Sequence, residues 1–104
     1  MNPFVYLVIS ATFLEAVADV LFKFWTLNNK ISLLVVGIII YTIGTGIWAY
    51  SLRFEFLSKA ITIFTVLNLI LVIIAGLILF GEHLSFYSKV GIVLGIVSVF
   101  LMLI

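Results

Sequence analysis

The sequence predicts an all-α membrane protein with four transmembrane helices. Two observations carry that reading. The first is composition: of 104 residues, 66% are hydrophobic and only 9% are charged, with a mean hydropathy of +1.51. A soluble domain is ~45–50% apolar and ~25% charged, so the excess apolar surface here must face lipid. The second is segmentation. A membrane span needs ~20 mostly apolar residues, and four such runs follow one another, separated by "TLNNK", "RFEF" and "GEHLS". One domain of this length accommodates all four, with no linker, low-complexity tract or strong internal repeat.

The first span runs from about Pro3 to Trp25, and Pro3 suits a first helical turn, where its missing N–H costs nothing. The second runs from about Ile31 to Leu52 and the third from about Leu57 to Phe80. The fourth runs from about Phe86 to Ile104, with Ser85 placed as its N-cap. The breaks are short, polar or glycine-marked, and loops this short make each helix antiparallel to the next.

Several classes are excluded. A net charge of +1 without a Lys/Arg run gives no footprint for nucleic acid. The absence of cysteine excludes disulfides and thiolate chemistry. A single histidine makes no metal set, and no Ser/His/Asp or paired intramembrane aspartate arrangement supports hydrolysis. We therefore expect neither enzyme activity nor a cofactor. The amino-terminal run has no basic n-region and no clean small-residue cleavage site, so we read it as a retained helix.

An even number of spans places both termini on one side. Arg53 and Lys59, with the amino terminus, lie on that face; Lys30 and Lys89, with Lys23 at a helix end, lie on the other. The positive-inside bias is near zero. Either other signals fix the orientation, or the protein inserts both ways.

The chemistry concentrates in the first helix. A carboxylate at the centre of a membrane helix costs ~2.5–3.5 kcal/mol on insertion scales, yet "ATFLEAVADVLFKFW" carries two acids, Glu15 and Asp19. Asp19 lies at i+4 from Glu15, ~6 Å along the same face. Lys23 lies at i+4 from Asp19 in the favourable acid-before-base orientation, so Asp19 has a candidate ion-pair partner. Glu15 has none: Val8, Ala11, Thr12, Ala18 and Phe22 share its face without a base. Low dielectric disfavours the charged form of an unpaired carboxyl, so Glu15 is expected to exchange protons near neutral pH. A cation and a proton then compete for one group, which is the physical basis of proton-coupled cation exchange. The bland alternative for Glu15 is an acid hydrogen-bonded across helices to a hydroxyl or carbonyl.

Helix two places Tyr41, Thr45 and Trp48 on one face, at i, i+4 and i+7. Tyr41 and Trp48 can hold cations through their ring quadrupoles; Trp48 and Tyr50 also suit an interfacial belt. Helix three places Phe64, Thr65 and Asn68 on neighbouring turns. Asn68 either contacts ligand or bonds across helices. Helix four carries Gly91, Gly95 and Ser98 at i, i+4 and i+7, a small-residue stripe for close helix approach. Glu82 and His83 fall in the last loop, read as a solvated turn.

These residues resemble the small multidrug resistance family, four-helix exporters of the drug/metabolite transporter superfamily. "LEAVADVLFKF" is similar to that family's first-helix pattern, "MNPFVYL" to its start and "LILFGEHLS" to its third-loop turn; the likeness spans the chain and is nearest to a subunit of the paired spermidine exporters. It implies an antiparallel dimer sharing a central chamber, in which Glu15 from each subunit binds cation and proton alternately. It also implies substrate-lining roles for Tyr41 and Phe64, and a dimer contact through helix four. The third helix departs from the pattern: Ile61, Phe64, Val66 and Asn68 replace a tyrosine, a tryptophan and two glycines. Its "LN" with Glu82 fourteen residues on resembles the wider superfamily, which includes small paired proteins moving lipid-linked sugars.

The sequence thus points to a dimeric transporter in the inner membrane of a prokaryotic cell. It would exchange small organic cations, polyamines among them, for protons, with Glu15, Asp19, Tyr41, Trp48, Phe64 and Asn68 at the site and Gly91, Gly95 and Ser98 at the interface. Its partner is a second copy of itself or a paralogous subunit. The rival readings are one half of a heteromeric flippase for a lipid-linked substrate and a non-transporting subunit of a membrane complex. The charge balance gives a direct expectation: one lysine added to "TLNNK" shifts the orientation of a reporter fused at Ile104. A reporter confined to one side and unmoved by two added lysines rules out dual insertion.

Overall fold

The computed structural model describes residues 3–104. Met1 and Asn2, which open the "MNPFVYL" run, lie outside the described residues, as does the amino-terminal charge. Among the described residues the chain forms four helices and no strand: α1, Pro3–Asn28; α2, Ile31–Ser51; α3, Leu57–Leu79; and α4, Phe86–Leu103. A 3₁₀ turn, Leu52–Phe54, follows α2. The first three helices are long and apolar enough to cross a membrane. The fourth is 18 residues long, a rise of ~27 Å against a hydrocarbon core of ~30 Å. This is an all-α membrane protein.

The helix ends follow local chemistry. α1 extends one turn past the expected Trp25, because hydropathy marks where lipid ends and not where the helix ends. Thr26 donates its hydroxyl to the Lys23 carbonyl at 2.6 Å, and the Asn29 N–H donates to the Trp25 carbonyl at 2.7 Å. Asn29 then stops the helix at φ 58°, a left-handed conformation that asparagine tolerates. Ser85 caps α4 as expected, its Oγ accepting from the Ser88 N–H at 3.2 Å. Gly81, at φ 62°, reverses the chain after α3 and returns the Glu82 N–H to the Gly76 carbonyl at 3.1 Å.

α1 is the central element, packing along α2 and, less extensively, α3; α4 packs on α3. Lipid is as apolar as leucine, so helix association rests on close approach of small residues and on interhelical hydrogen bonds. The α1–α2 seam shows this. Ala11 and Ala18 of α1 are fully buried and face Gly44 and Gly37 of α2. A Cβ at Gly37 would stand 2.7 Å from a Phe22 ring carbon and 3.5 Å from the Ala18 carbonyl oxygen. One at Gly44 would stand 3.1 Å from Glu15 Cγ, 3.3 Å from Leu14 Cβ and 3.4 Å from the Ala11 carbonyl oxygen.

At the other end, Phe4 and Val8 of α1 pack with Ala60 and Ile63 of α3. Trp48 and Leu52 of α2, Phe64 and Leu67 of α3 and Val99 of α4 close around them. The start of α1 therefore lies beside the end of α2, the start of α3 and the end of α4. Sequential helices are antiparallel, and α1 and α3 run parallel.

The seam generates a prediction. Gly44→Val overpacks it and costs ~1–3 kcal/mol, whereas Gly46→Ala, with nothing within 4 Å of its Cβ position, is neutral or stabilising by up to ~1 kcal/mol. Thermal unfolding of the detergent-solubilised protein separates the two; equal effects contradict the seam.

Candidate functional site

Glu15 is only 6% exposed, held near the middle of α1 against α2 by the space Gly44 leaves. Its Oε1 accepts a hydrogen bond from Thr45 Oγ1 at 3.2 Å. Thr45 lies on an exposed face of α2, so the carboxylate sits just behind an open surface of the subunit. Among the described residues no base pairs with it. Among the described residues the ion pair formed is Lys59–Glu55, at 3.6 Å, between the α2–α3 connection and the first turn of α3.

Asp19 and Lys23 do not form the ion pair their spacing suggested. Asp19 is half-buried and Lys23 exposed, and a long lysine stem can carry its ammonium to solvent instead of to the acid. Both line a cavity of about 140 Å³ between α1 and the far half of α3, together with Val20, Val72, Ala75, Gly76, Phe80 and Glu82. Glu82 is exposed, as a turn residue should be. Its carboxylate nonetheless folds back onto α3, where a Cβ at Gly76 would overlap it. The structure thus gathers Asp19, Lys23 and Glu82 around one cavity, a juxtaposition not visible in the sequence. The available signal was Gly76: an interior helical glycine costs ~1 kcal/mol against alanine and implies close packing.

The aromatic candidates separate. Trp48 and Phe64 stack at 4.4 Å between centroids with planes 41° apart, and both pack on the Phe4–Val8–Ala60–Ile63 cluster. Trp48 is turned inward, away from a membrane belt. Tyr50 lies nearer the helix end, 5.4 Å beneath the Arg53 guanidinium. Tyr41 is 44% exposed, its ring 6.3 Å from that of Phe22, one turn from Thr45 on the open side of α2. Asn68 is half-buried, and its Oδ1 is buried without a hydrogen-bond partner.

The small-residue stripe on α4 divides in the same way. Gly95 faces Val66 of its own chain, 3.6 Å from where a Cβ would stand, while Gly91 has nothing within 4 Å. Ser98 is half-buried. Within the subunit the stripe packs α4 on α3 through Gly95, and Gly91 is the part left open.

Chemically, Glu15 is a carboxylate with one hydrogen bond and a second oxygen free to take a proton or a cation. Among the described residues no three of His, Cys, Asp and Glu could together hold a metal ion. Thr45 is the neighbour that sequence reasoning placed on the right face without giving it a role. The model of the EamA-like transporter family matches residues 2–104. No curated protein and no solved structure matches the chain.

The separation of Asp19 from Lys23 is measurable. In a double-mutant cycle of Asp19→Asn and Lys23→Met, the coupling in unfolding free energy is expected below ~0.5 kcal/mol. A coupling above ~1 kcal/mol would restore the ion pair.

Proposed function

The chain belongs to the EamA-like transporter family, and on that premise we propose that it is a proton-coupled antiporter exporting small organic cations. The observation that carries the proposal is Glu15, a carboxylate 6% exposed within a membrane helix, hydrogen-bonded to Thr45 and, among the described residues, paired with no base. Intramembrane acids are costly and mark ion pathways and proton relays. A carboxylate so placed is neutralised either by a proton or by a bound cation, and it cannot hold both. Binding of cation on one side releases the proton, and binding of a proton on the other releases the cation.

The remaining residues support this reading. Thr45, bonded to Glu15, and Tyr41, one turn away, sit on the open face of α2, where a second subunit, identical or paralogous, would enclose the site. That dimer is the arrangement the small multidrug resistance likeness implies. Asp19 supplies a second carboxylate ~6 Å along α1, which suits a substrate with two positive charges, such as a polyamine. The setting we assign is the inner membrane of a prokaryotic cell.

A second reading draws on a different observation. An apolar groove of about 270 Å³ runs between α1 and α3, lined by Phe13, Val17, Val20, Leu21, Leu71 and Leu79, with Ala16 and Ala75. It could hold a lipid chain, as one half of a heteromeric flippase would require. In that case Glu15 has no cation to exchange.

Proton release from detergent-purified protein on addition of candidate cations distinguishes the two. An antiporter releases protons between the pH at which protons outcompete cation and the pH at which Glu15 is already deprotonated. Glu15→Gln keeps shape and hydrogen bonding but removes the titration, so it is expected to fold and lose release by at least ~10²-fold, the scale on which a positioned acid–base group matters. Glu15→Asp keeps the charge on a shorter arm and retains some release with a shifted pH profile. Undiminished release from a well-folded Glu15→Gln protein would move the chemistry elsewhere. Wild type that releases no protons with any cation would favour the flippase.

A further inference from the structure

Asn68 Oδ1 is an acceptor buried in the helix bundle with no donor. Buried carbonyls are almost always paired, and an orphan is costly. Its position narrows what it serves. Asn68 stands in the middle of an α3 stripe with Phe64 at i−4, Leu71 at i+3, Val72 at i+4 and Ala75 at i+7. Phe64 packs on the core cluster, and the other three line the cavities against α1. Asn68 therefore faces α1.

Its depth follows from the parallel register. Val8 packs with Ile63 near one end of the helix pair, and Val20 lines both cavities with Ala75 near the other. The offset is the same at both ends, and it puts Asn68 level with Phe13 of α1, within one helical turn of Glu15 along the axis. The one hydroxyl of α1 in that turn, Thr12, is committed to the Val8 and Ile9 carbonyls, each at 2.9 Å. As a carboxylate, Glu15 has no hydrogen to give. Once protonated it becomes a donor, and Thr45 already occupies its Oε1.

We propose that Asn68 Oδ1 accepts the acidic hydrogen of protonated Glu15 and so holds the proton-loaded state. Thr45 acts in the opposite sense, because its hydroxyl donates to the carboxylate. The pair sets the pH at which the site exchanges. Asn68 is a positioning residue: the proton comes from water, bonds to the free oxygen of Glu15 and leaves the same way, and Asn68 gains and loses only a hydrogen bond. The inference rests on the reading of Glu15 as the exchange site. The other titratable groups near Glu15 are Asp19, one turn along α1, and Tyr41, one turn from Thr45 on α2. Lys23 and Glu82 lie farther along, at the cavity that Asp19 lines. The α1-facing stripe of α3 contributes no charged group.

The test requires no ligand. The full chain in detergent, labelled with ¹³C at the Glu15 carboxyl, is titrated by NMR. Asn68→Leu is expected to move the Glu15 midpoint to lower pH by about one unit, and Thr45→Val to move it to higher pH. Asn68→Thr keeps an acceptor and stays nearer wild type. If Asn68→Leu does not fold, Asn68→Ala carries the same expectation. A midpoint unmoved or raised by losing the Asn68 amide overturns the inference, including where dimer content changes instead. The exchange reading fails separately: in that case the wild-type midpoint responds to Asn68, yet no added cation displaces the proton.

Discussion

The carboxylate of Glu15 held against a glycine is the contact on which the rest of this structure depends. Without Gly44, α2 could not approach α1 at that level, and Glu15 would face lipid or force the helices apart. With it, the Thr45 hydroxyl reaches the carboxylate at 3.2 Å. The same close approach recurs two turns away, where Gly37 meets Phe22 and Ala18. In a medium with no hydrophobic drive between helices, this seam does two jobs together. It holds α1 and α2 in contact, and it makes a polar pocket at a depth where polar groups are expensive.

Polarity along α1 is graded. Glu15 is buried, Asp19 half-buried and Lys23 exposed, at successive four-residue steps. The grade follows the cost of charge, which falls toward the membrane surface. It divides the polar residues into two zones. The deep zone holds Glu15 and Thr45, hydrogen-bonded to each other, and Asn68, whose Oδ1 has no partner; among the described residues no counter-charge pairs with Glu15. The outer zone holds Asp19, Lys23 and Glu82 around a cavity, with charges of both signs. An acid in the deep zone must take up a proton or a cation to be neutral. A group in the outer zone can be screened by solvent.

Much of this was legible in the sequence, for physical reasons that also mark where legibility ends. Hydropathy located the apolar core of every helix because burial in lipid demands it of each segment independently. Ser85 was legible as a cap because capping is local. The end of α1 was not, since Thr26 and Asn29 extend and stop the helix past the apolar run. Glu15 stood out because its cost is paid by one residue. Thr45, Gly44 and Gly37 did not, since their roles exist only relative to another helix. The Asp19–Lys23 spacing was correct and the pairing was not: helical periodicity fixes which residues are neighbours, but the cavity against α3 and the reach of lysine toward water decide whether they touch. By sequence Trp48 could hold a cation or sit in a belt, and its stacking on Phe64 packs it against the Phe4–Val8–Ala60–Ile63 cluster.

In the proposed cycle one carboxyl, Glu15, holds a proton and a cation by turns. Isotope-edited infrared difference spectroscopy of protein labelled at the Glu15 carboxyl tests it most directly. At a fixed pH near neutrality, adding a transported cation is predicted to remove the labelled acid carbonyl band and produce labelled carboxylate bands, and washing out the cation is predicted to reverse the change. A labelled band that stays the same through cation binding and release would contradict the account.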